Sequence, residues 1–379
     1  MENVAPPSIA ARVALRLRDV GPDSVNGLAA ALTVSRTSVE NVLAALTAAG
    51  TVTRTVASGA GVGRPSRFYE FDSSRGYVAG VDVGNASTRV VIADPLGGVL
   101  ADHVGPGVGE FADGAAKLDG VTAHIREAFG IASLELSKLR AVGLSLPGIV
   151  NDAGRVLTSV VIPEWSGVDI GGHLRETLGV PVAVDNGVRL AAVAEHHLGA
   201  AQLIDDVLYL SVGNRIAMGL IVDGKPRRGA HDAAGDIGRL AFPGVDQATG
   251  QLQWRNGASA ADVFARARAG EQTAGAELAD FVERLSRSLA LLIMAVDPSK
   301  VVIGGGLSRA HEEFLRPLSE SVAKHIRLPI DVPVVEARLG DEAAAHGALV
   351  HAFRRASGQI YGLEEMTVPR ITPLSAAAE

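Results

Sequence analysis

Two groups of residues in this 379-residue chain have the types and spacing of binding sites, one for a phosphate and one for DNA. The first is Asp82-Val83-Gly84 followed by Ser87-Thr88, in which small and polar residues join two apolar segments of β type. A loop of this composition can hold a phosphate through backbone N–H groups and hydroxyls. The pattern is weak when taken alone, because glycine-containing turns between strands are common.

The second group suits contact with DNA and lies at the start of a helix predicted from Ser35 to Ala49. Its small or polar side chains are not needed by the apolar face of that helix: Ser35, Arg36, Thr37, Ser38 and Asn41. An arginine such as Arg36 can pair with a guanine edge or a phosphate, and an asparagine such as Asn41 can pair with adenine. The alternative is a small helical cap with a solvated polar face.

The elements around this helix predict a winged helix-turn-helix in residues 1–75. Helices predicted at Ser8–Asp19 and Ser24–Leu32 precede it, and the alternating segments TVTRTVAS and RFYEF follow it as a hairpin. Three arginines surround the glycine-rich tip of that hairpin: Arg54, Arg64 and Arg67. The tripeptide Gly63-Arg64-Pro65 is narrow and extended, so Arg64 can enter a minor groove.

Composition and charge exclude several classes of protein. Apolar residues make up 47% of the chain, which excludes disorder for most of it, and the absence of cysteine excludes disulfides and thiol catalysis. The longest clean apolar run, Leu289–Val296, is too short to cross a bilayer, and the start of the chain does not resemble a signal peptide. Residues 1–75 carry a net charge of +2 and the remainder −9. We therefore expect a cytoplasmic protein with a mildly basic DNA-binding head on an acidic body.

Residues 76–356 predict a larger α/β domain of two lobes. Three strands followed by alternating helices and strands occur once in each half, which indicates a duplicated unit with a cleft between the copies. After Ser357 the sequence lacks a clear period, so residues 357–379 are predicted to be an irregular, loosely packed tail.

Five motifs in this order resemble the ROK family of repressors, open reading frames and kinases. They read GVDVGNASTRVVIAD, LSLPGIV, PVAVDN, LSVG with GAHDAAGDIGR, and DPSKVVIGGGLS. The resemblance covers about Ile9 to Phe353. It implies the actin-like ATPase fold, a duplicated ribonuclease H-like unit, and, in the repressor branch, an amino-terminal winged helix that ends in a Gly-Arg-Pro wing.

The positions that carry catalysis in ROK sugar kinases have changed in this chain. Where the resemblance places an aspartate as general base, the chain has Gly187, which has no proton acceptor. The neighbouring Asp185 is expected to face away from the sugar. In the second phosphate loop, Arg215 and Met218 introduce long side chains where backbone must approach phosphate. The first loop is one residue longer than in the kinases. We therefore expect no catalysis and no ATP as cofactor.

The family's structural zinc site is also expected to be absent. Its one histidine and three cysteines align with Arg239, Gly244, Asp246 and Gln251, which do not form a ligand set. His196 and His197 are adjacent on a predicted helix and cannot face one ion together, so they are assigned to packing or to the surface.

The resemblance implies an effector pocket whose chemistry differs from that of a sugar kinase. Its candidate residues are Gly148, Asn186, Asp236, Arg239 and Gln253. Arg239 can bind a carboxylate or a phosphate, which predicts a sugar acid or sugar phosphate. Equally, Arg239 can pair with Asp236 and fill the pocket. Trp165 could stack on a sugar or belong to the core.

These observations predict a regulator of transcription, acting as a repressor in carbohydrate metabolism. Its expected partners are an operator in double-stranded DNA, a sugar-derived effector and further copies of itself in a homodimer or homotetramer, with no membrane. Two alternatives stay open: a sugar kinase with a DNA-binding head, and a regulator that responds to a protein partner instead of a small molecule.

Overall fold

The computed structural model describes residues 7–56, 67–242, 244–255, 259–307 and 312–374. Up to Phe71 the chain forms a small amino-terminal unit. Its elements are α1 (Ile9–Asp19), β1 (Asp23–Ser24), α2 (Val25–Leu32), α3 (Arg36–Ala48), β2 (Val52–Val56) and β3 (Arg67–Phe71). The strands form one antiparallel sheet in the order β1-β3-β2. These helices and the hairpin occur in the predicted order, while the hairpin tip with Arg64 lies outside the described residues.

Serine residues begin all three helices of this unit. Ser8, Ser24 and Ser35 each accept a hydrogen bond from a backbone N–H in the first helical turn. Each bond satisfies a donor that the start of a helix would otherwise leave unpaired. The inward faces of the helices share one core, to which Val13, Leu17, Leu28, Val39, Leu43 and Leu46 belong. Capping and apolar periodicity therefore explain why the helix bounds match the sequence prediction within a residue or two.

Two five-stranded sheets of identical topology build the larger domain. The first contains β4 (Tyr77–Val83), β5 (Ser87–Ala93), β6 (Val99–Pro106), β7 (Leu139–Leu146) and β10 (Val182–Asn186), beside a ribbon of β8 (Ile149–Val150) and β9 (Val156–Thr158). The second contains β11 (Val207–Val212), β12 (Ile216–Val222), β13 (Lys225–Pro226), β14 (Lys300–Gly304) and β15 (Val334–Glu336). When the second sheet is read from its other edge, the orders β10-β7-β4-β5-β6 and β15-β14-β11-β12-β13 correspond strand for strand, which confirms the predicted duplication.

Nine helices of the described chain accompany these sheets. They are α4 (Gly114–Ile131), α5 (Ile170–Leu178), α6 (Gly187–Leu198), α7 (Gly238–Ala241), α8 (Ala260–Arg268), α9 (Gln272–Val296), α10 (Glu312–Ile326), α11 (Ala343–Arg355) and α12 (Ser357–Tyr361). The sequence did not predict α10. None of the helices in the described residues is both long and apolar enough to cross a membrane.

Helices α6 and α11 pack between the two sheets. Helix α11 lies on β4 and β7, α6 lies on β11 and β12, and the two helices contact each other. Glycines permit this close approach: a Cβ on Gly143 would lie 1.8 Å from the carbonyl oxygen of Ala348, and one on Gly347 would lie 1.9 Å from that of Leu190. Larger residues at these positions would push the helices away from each other and from the first sheet. This packing determines where the amino end of α6 meets the cleft.

The prediction of a loosely packed tail is wrong for residues 357–372, while residues 375–379 lie outside the described residues. The carboxyl-terminal segment, residues 357–372, contains α12 and buries Tyr361 completely between the two domains. Its ring packs edge-on against Phe71 of the amino-terminal unit and stacks on Phe353 of α11. The Arg18 guanidinium donates to the Thr367 carbonyl from the amino-terminal side. The segment therefore joins the amino-terminal unit to the larger domain.

Candidate functional site

A cleft of about 610 Å³ opens between the two halves of the larger domain. Its walls come from the carboxyl ends of β4 and β7, the start of α6 and the hairpin of β11 and β12. The volume is typical of a small-molecule site. Four of the five predicted effector residues line it, namely Gly148, Asn186, Asp236 and Arg239.

Gly187 lies next to the Asp82 carboxylate, and both residues line the cleft. A Cβ on Gly187 would lie 3.0 Å from Ser145 Oγ and 3.9 Å from Asp82 Oδ1. The Ser145 hydroxyl donates a hydrogen bond to that oxygen of Asp82. Burial raises the pKa of Asp82, and the hydrogen bond from Ser145 opposes this shift. At the position that the family resemblance assigns to the general base, the chain therefore has no side chain, and the nearest carboxylate already accepts a hydrogen bond.

Asp185 is directed away from the cleft and is held by two arginines. Arg189 donates to one of its carboxylate oxygens and Arg228 to the other, each at 2.5 Å. Arg189 also donates to the backbone carbonyl of Asp232, and Arg228 pairs with the Asp232 carboxylate. Burial raises the pKa of Asp185, while the two guanidinium groups lower it. Asp185 does not line the cleft, in agreement with the predicted orientation.

Asn186 shapes the cleft by bonding to the protein at both ends of its amide. Its Oδ1 accepts hydrogen bonds from the backbone N–H groups of Val188 and Arg189, which caps α6. Its Nδ2 donates to the carbonyl of Gly148 at 2.7 Å. One N–H of the amide is left for a ligand, so Asn186 can offer a donor but no uncommitted acceptor.

Two arginines that line the cleft, Arg215 and Arg239, have no carboxylate partner within the described part of the chain. Arg215 donates to the carbonyl of Thr249 at 3.0 Å, and Arg239 contacts that of Gln247 at 3.4 Å. Among the ion pairs of the described residues, none joins Arg239 to the exposed Asp236, so the alternative in which these two residues pair and fill the pocket is not observed. Burial lowers the pKa of Arg215. Arg215 and Arg239 are therefore available to an anionic group, although four aspartates, Asp82, Asp232, Asp236 and Asp341, also line the cleft.

The loop that corresponds to the family's zinc region is closed by hydrogen bonds. Asp246 Oδ1 accepts from the backbone N–H groups of Ala248 and Thr249 and from the Thr249 hydroxyl. These bonds lower the pKa of Asp246. Gly244 offers no ligand atom and Arg239 is a cation, so the residues present do not fit a zinc ion.

Two further predicted positions lie away from the cleft lining. Gln253 is exposed, and its amide nitrogen lies 3.4 Å from Asp246 Oδ2, so the structure does not bring it to the cleft. Trp165 is buried in the core of the first half, where its indole N–H donates to the Gly114 carbonyl at 3.0 Å. The core alternative for Trp165 is the one observed.

The polar residues of α3 form an exposed row on the amino-terminal unit. Ser35, Arg36, Thr37 and Asn41 are exposed and Ser38 is half-buried. Ser35 caps the helix and shares a hydrogen bond of 2.8 Å with the Ser38 hydroxyl, so both side chains are partly committed to the protein. Arg36 has only a weak pair with Glu40, at 3.7 Å on the surface. Arg54 on β2 and Arg67 on β3 are also exposed.

Sequence reasoning missed the arginine network behind the cleft. Arg189 lies four residues after Asp185, a spacing that places both on one side of a helix start and could have indicated the pair. Arg228 comes from a distant loop, and no local pattern relates it to Asp185.

Comparison with known proteins decides the family. The sequence profile of the ROK family matches residues 78–251 and 241–355. The chain belongs to the ROK family. A kanosamine kinase of Amycolatopsis mediterranei is 28% identical over 75% of this ROK protein and 98% of the kinase. A xylose repressor of Caldicellulosiruptor bescii is 22% identical over 76% of this chain and 80% of the repressor.

A solved structure extends the similarity into the amino-terminal unit. It is that of a ROK family transcriptional regulator described as a homologue of the E. coli MLC protein, with a TM-score of 0.69 and 22% identity. The match covers 94% of this chain and 97% of that one. This likeness establishes the fold, and both kinases and repressors are among the relatives.

Proposed function

We propose that this ROK protein is a DNA-binding regulator of transcription, acting as a repressor, whose cleft binds a sugar-derived anion without catalysing its phosphorylation. The observation that carries the proposal is the exposed polar row at the start of α3, in a unit with the element order of a winged helix-turn-helix. The first residues of such a helix enter the major groove in this class of fold. Arg54 and Arg67 on the adjacent hairpin supply charge for phosphate contacts.

Self-association is part of the proposal. A single winged helix with a net charge of +2 makes few contacts to bases and phosphates. Two copies related by a two-fold axis double these contacts and require half-sites about one helical turn apart, or a multiple of that distance. The larger domain has exposed leucines that an interface between copies could cover, including Leu203, Leu240 and Leu291. We assign dimerisation to that domain.

The cleft supports effector binding more strongly than kinase chemistry. The general-base position is Gly187, Asp82 is hydrogen-bonded to Ser145, and Asp185 is enclosed by arginines. Arg215 and Met218 line the cleft where a nucleotide phosphate would approach the second loop. We therefore expect purified protein to show no ATP-dependent phosphorylation of glucose, N-acetylglucosamine or other hexoses above a heat-inactivated control.

The matched variant in this assay is Gly187→Asp. It restores a carboxylate but leaves Arg215 and Met218 in the loop, so we expect it to remain inactive. Phosphorylation by the wild-type protein would contradict the proposal and favour the kinase alternative. The variant Asp82→Asn would then test whether Asp82 is the general base. Activity in Gly187→Asp alone would show that the loop does not exclude the nucleotide.

Binding of an anionic sugar should raise the melting temperature of the protein. A ligand present at 100 times its dissociation constant adds about 2.7 kcal/mol to the free energy of unfolding. We expect this for hexose phosphates or hexuronic acids and not for the neutral hexoses, because Arg239 can bind a carboxylate or phosphate with two hydrogen bonds. Arg239→Gln should abolish the increase, and Arg287→Gln, at an exposed arginine of α9, should not. No stabilisation by any anionic sugar would favour the alternative of a protein partner.

A further inference from the structure

Two histidines and a glutamate converge between an edge strand and a helix of the first half. His103 lies on β6, and His124 and Glu127 lie one turn apart on α4. His103 Nε2 is 3.8 Å and His124 Nδ1 is 3.5 Å from the same carboxylate oxygen of Glu127. The three potential ligand atoms all lie within 4.8 Å of one another. They therefore surround a common point.

The two ring nitrogens are buried and have no hydrogen-bond partner. Both His103 Nε2 and His124 Nδ1 are inaccessible to water, although polar atoms in such positions are normally paired. His124 is 7% exposed as a residue. Its ring lies against Gly105, where a Cβ would come 2.8 Å from the Nδ1 atom. The absence of a side chain at Gly105 is what admits the ring in this orientation.

We propose that His103, His124 and Glu127 bind a divalent transition-metal ion of the Zn²⁺ class. Two imidazole nitrogens and one carboxylate oxygen are a common zinc donor set, with water as the fourth ligand. Donor atoms about 2.0–2.1 Å from a tetrahedral ion lie roughly 3.3 Å apart. The two contacts with Glu127, at 3.5 and 3.8 Å, are close to that spacing, and the three atoms, which lie within 4.8 Å of one another, would draw together on binding the ion. The Glu127 side chain is 53% exposed, which gives the ion a path from solvent.

This site is separate from the cleft and from the loop around Asp246. Its mechanical effect is to fasten α4 to β6, which is the edge strand of the first sheet. The neighbouring residue of β6, Val104, lines the cleft. Because successive residues of a strand face opposite sides, the metal would hold β6 from the side opposite Val104 and so support that wall of the cleft.

The experiment is a titration of the full-length, metal-stripped protein with Zn²⁺ by calorimetry, and with Co²⁺ by its visible absorption spectrum. The variants are His103→Ala and Glu127→Gln, and the matched control is His173→Ala at an exposed histidine of α5. Loss of a group that merely orients a ligand lowers metal affinity by about 10–100-fold, and loss of a ligand should cost at least as much. Glu127→Gln changes a half-exposed side chain, so its melting temperature without metal should match that of the wild type.

We expect one strong site per chain, the spectrum of four-coordinate Co²⁺, and a melting temperature that rises with Zn²⁺ in the wild type and His173→Ala. Both site variants should lose the strong binding and the rise. Affinity and stoichiometry that are unchanged in Glu127→Gln and His103→Ala would overturn the proposal, as would the absence of strong binding in the wild type. In those cases the three side chains form a contact between α4 and β6 that binds no metal.

Discussion

Replacing Tyr361 by alanine should lower the free energy of unfolding by about 3–5 kcal/mol, the usual cost of removing a large buried aromatic side chain. Tyr361 is fully buried, and its ring contacts Phe71 and Phe353 at centroid distances of 5.9 and 6.3 Å. The Arg18 guanidinium lies 5.4 Å from the ring centroid. Truncation would leave a cavity where the amino-terminal unit, α11 and the carboxyl-terminal segment meet.

The control for this prediction is Tyr361→Phe. It keeps the ring and removes only the hydroxyl, which donates to the Pro95 carbonyl at 3.0 Å, so about 1 kcal/mol should be lost. Urea unfolding followed by tryptophan fluorescence and by circular dichroism measures both variants. If Tyr361→Ala were as stable as Tyr361→Phe, the carboxyl-terminal segment would not be a structural link between the domains.

The second large effect is expected on DNA affinity. Arg36→Ala and Asn41→Ala should each weaken operator binding. Each bidentate pair of hydrogen bonds with a base that is lost should cost about 1–3 kcal/mol. In a symmetric dimer this loss occurs at both half-sites. Both side chains are exposed at the start of α3, and neither is needed to hold the helix, because Ser35 provides its cap. The variants should therefore fold normally and differ from wild type in sequence preference at the base pairs that Arg36 and Asn41 read.

Fluorescence anisotropy at one fixed salt concentration measures these affinities, since phosphate contacts make binding strongly dependent on salt. Arg287→Ala on α9 is the control for loss of a surface charge, and it should bind as the wild type does. Equal binding by Arg36→Ala, Asn41→Ala and the control would show that another surface contacts the DNA.

The parts of the fold that sequence predicted best are those set by short-range signals. Serine caps and apolar spacing located α1, α2 and α3, and the repeated order of strands and helices indicated the duplicated sheets. Each of these features depends on residues that are close in sequence.

The features that sequence did not predict depend on distant partners. Tyr361 has no helical or strand period around it, and its contacts with Phe71 and Pro95 span more than 260 residues. Arg228 also pairs with a partner that is distant in sequence, because it lies in a loop 43 residues after Asp185. Gln253 aligns with a family pocket position, but here its loop is closed by Asp246, and its amide is directed to that carboxylate instead of the cleft.

The most direct test of the proposed function is selection of binding sites from fragmented genomic DNA by the purified full-length protein. We expect enrichment of a palindromic sequence whose half-sites are about one helical turn apart, or a multiple of that distance, and loss of this enrichment in an Arg36→Ala, Asn41→Ala double variant. The same sites should be released by the anionic sugar that stabilises the protein. Absence of any enriched sequence, or the same enrichment by the double variant, would contradict the assignment of this ROK protein as a regulator that reads DNA through α3.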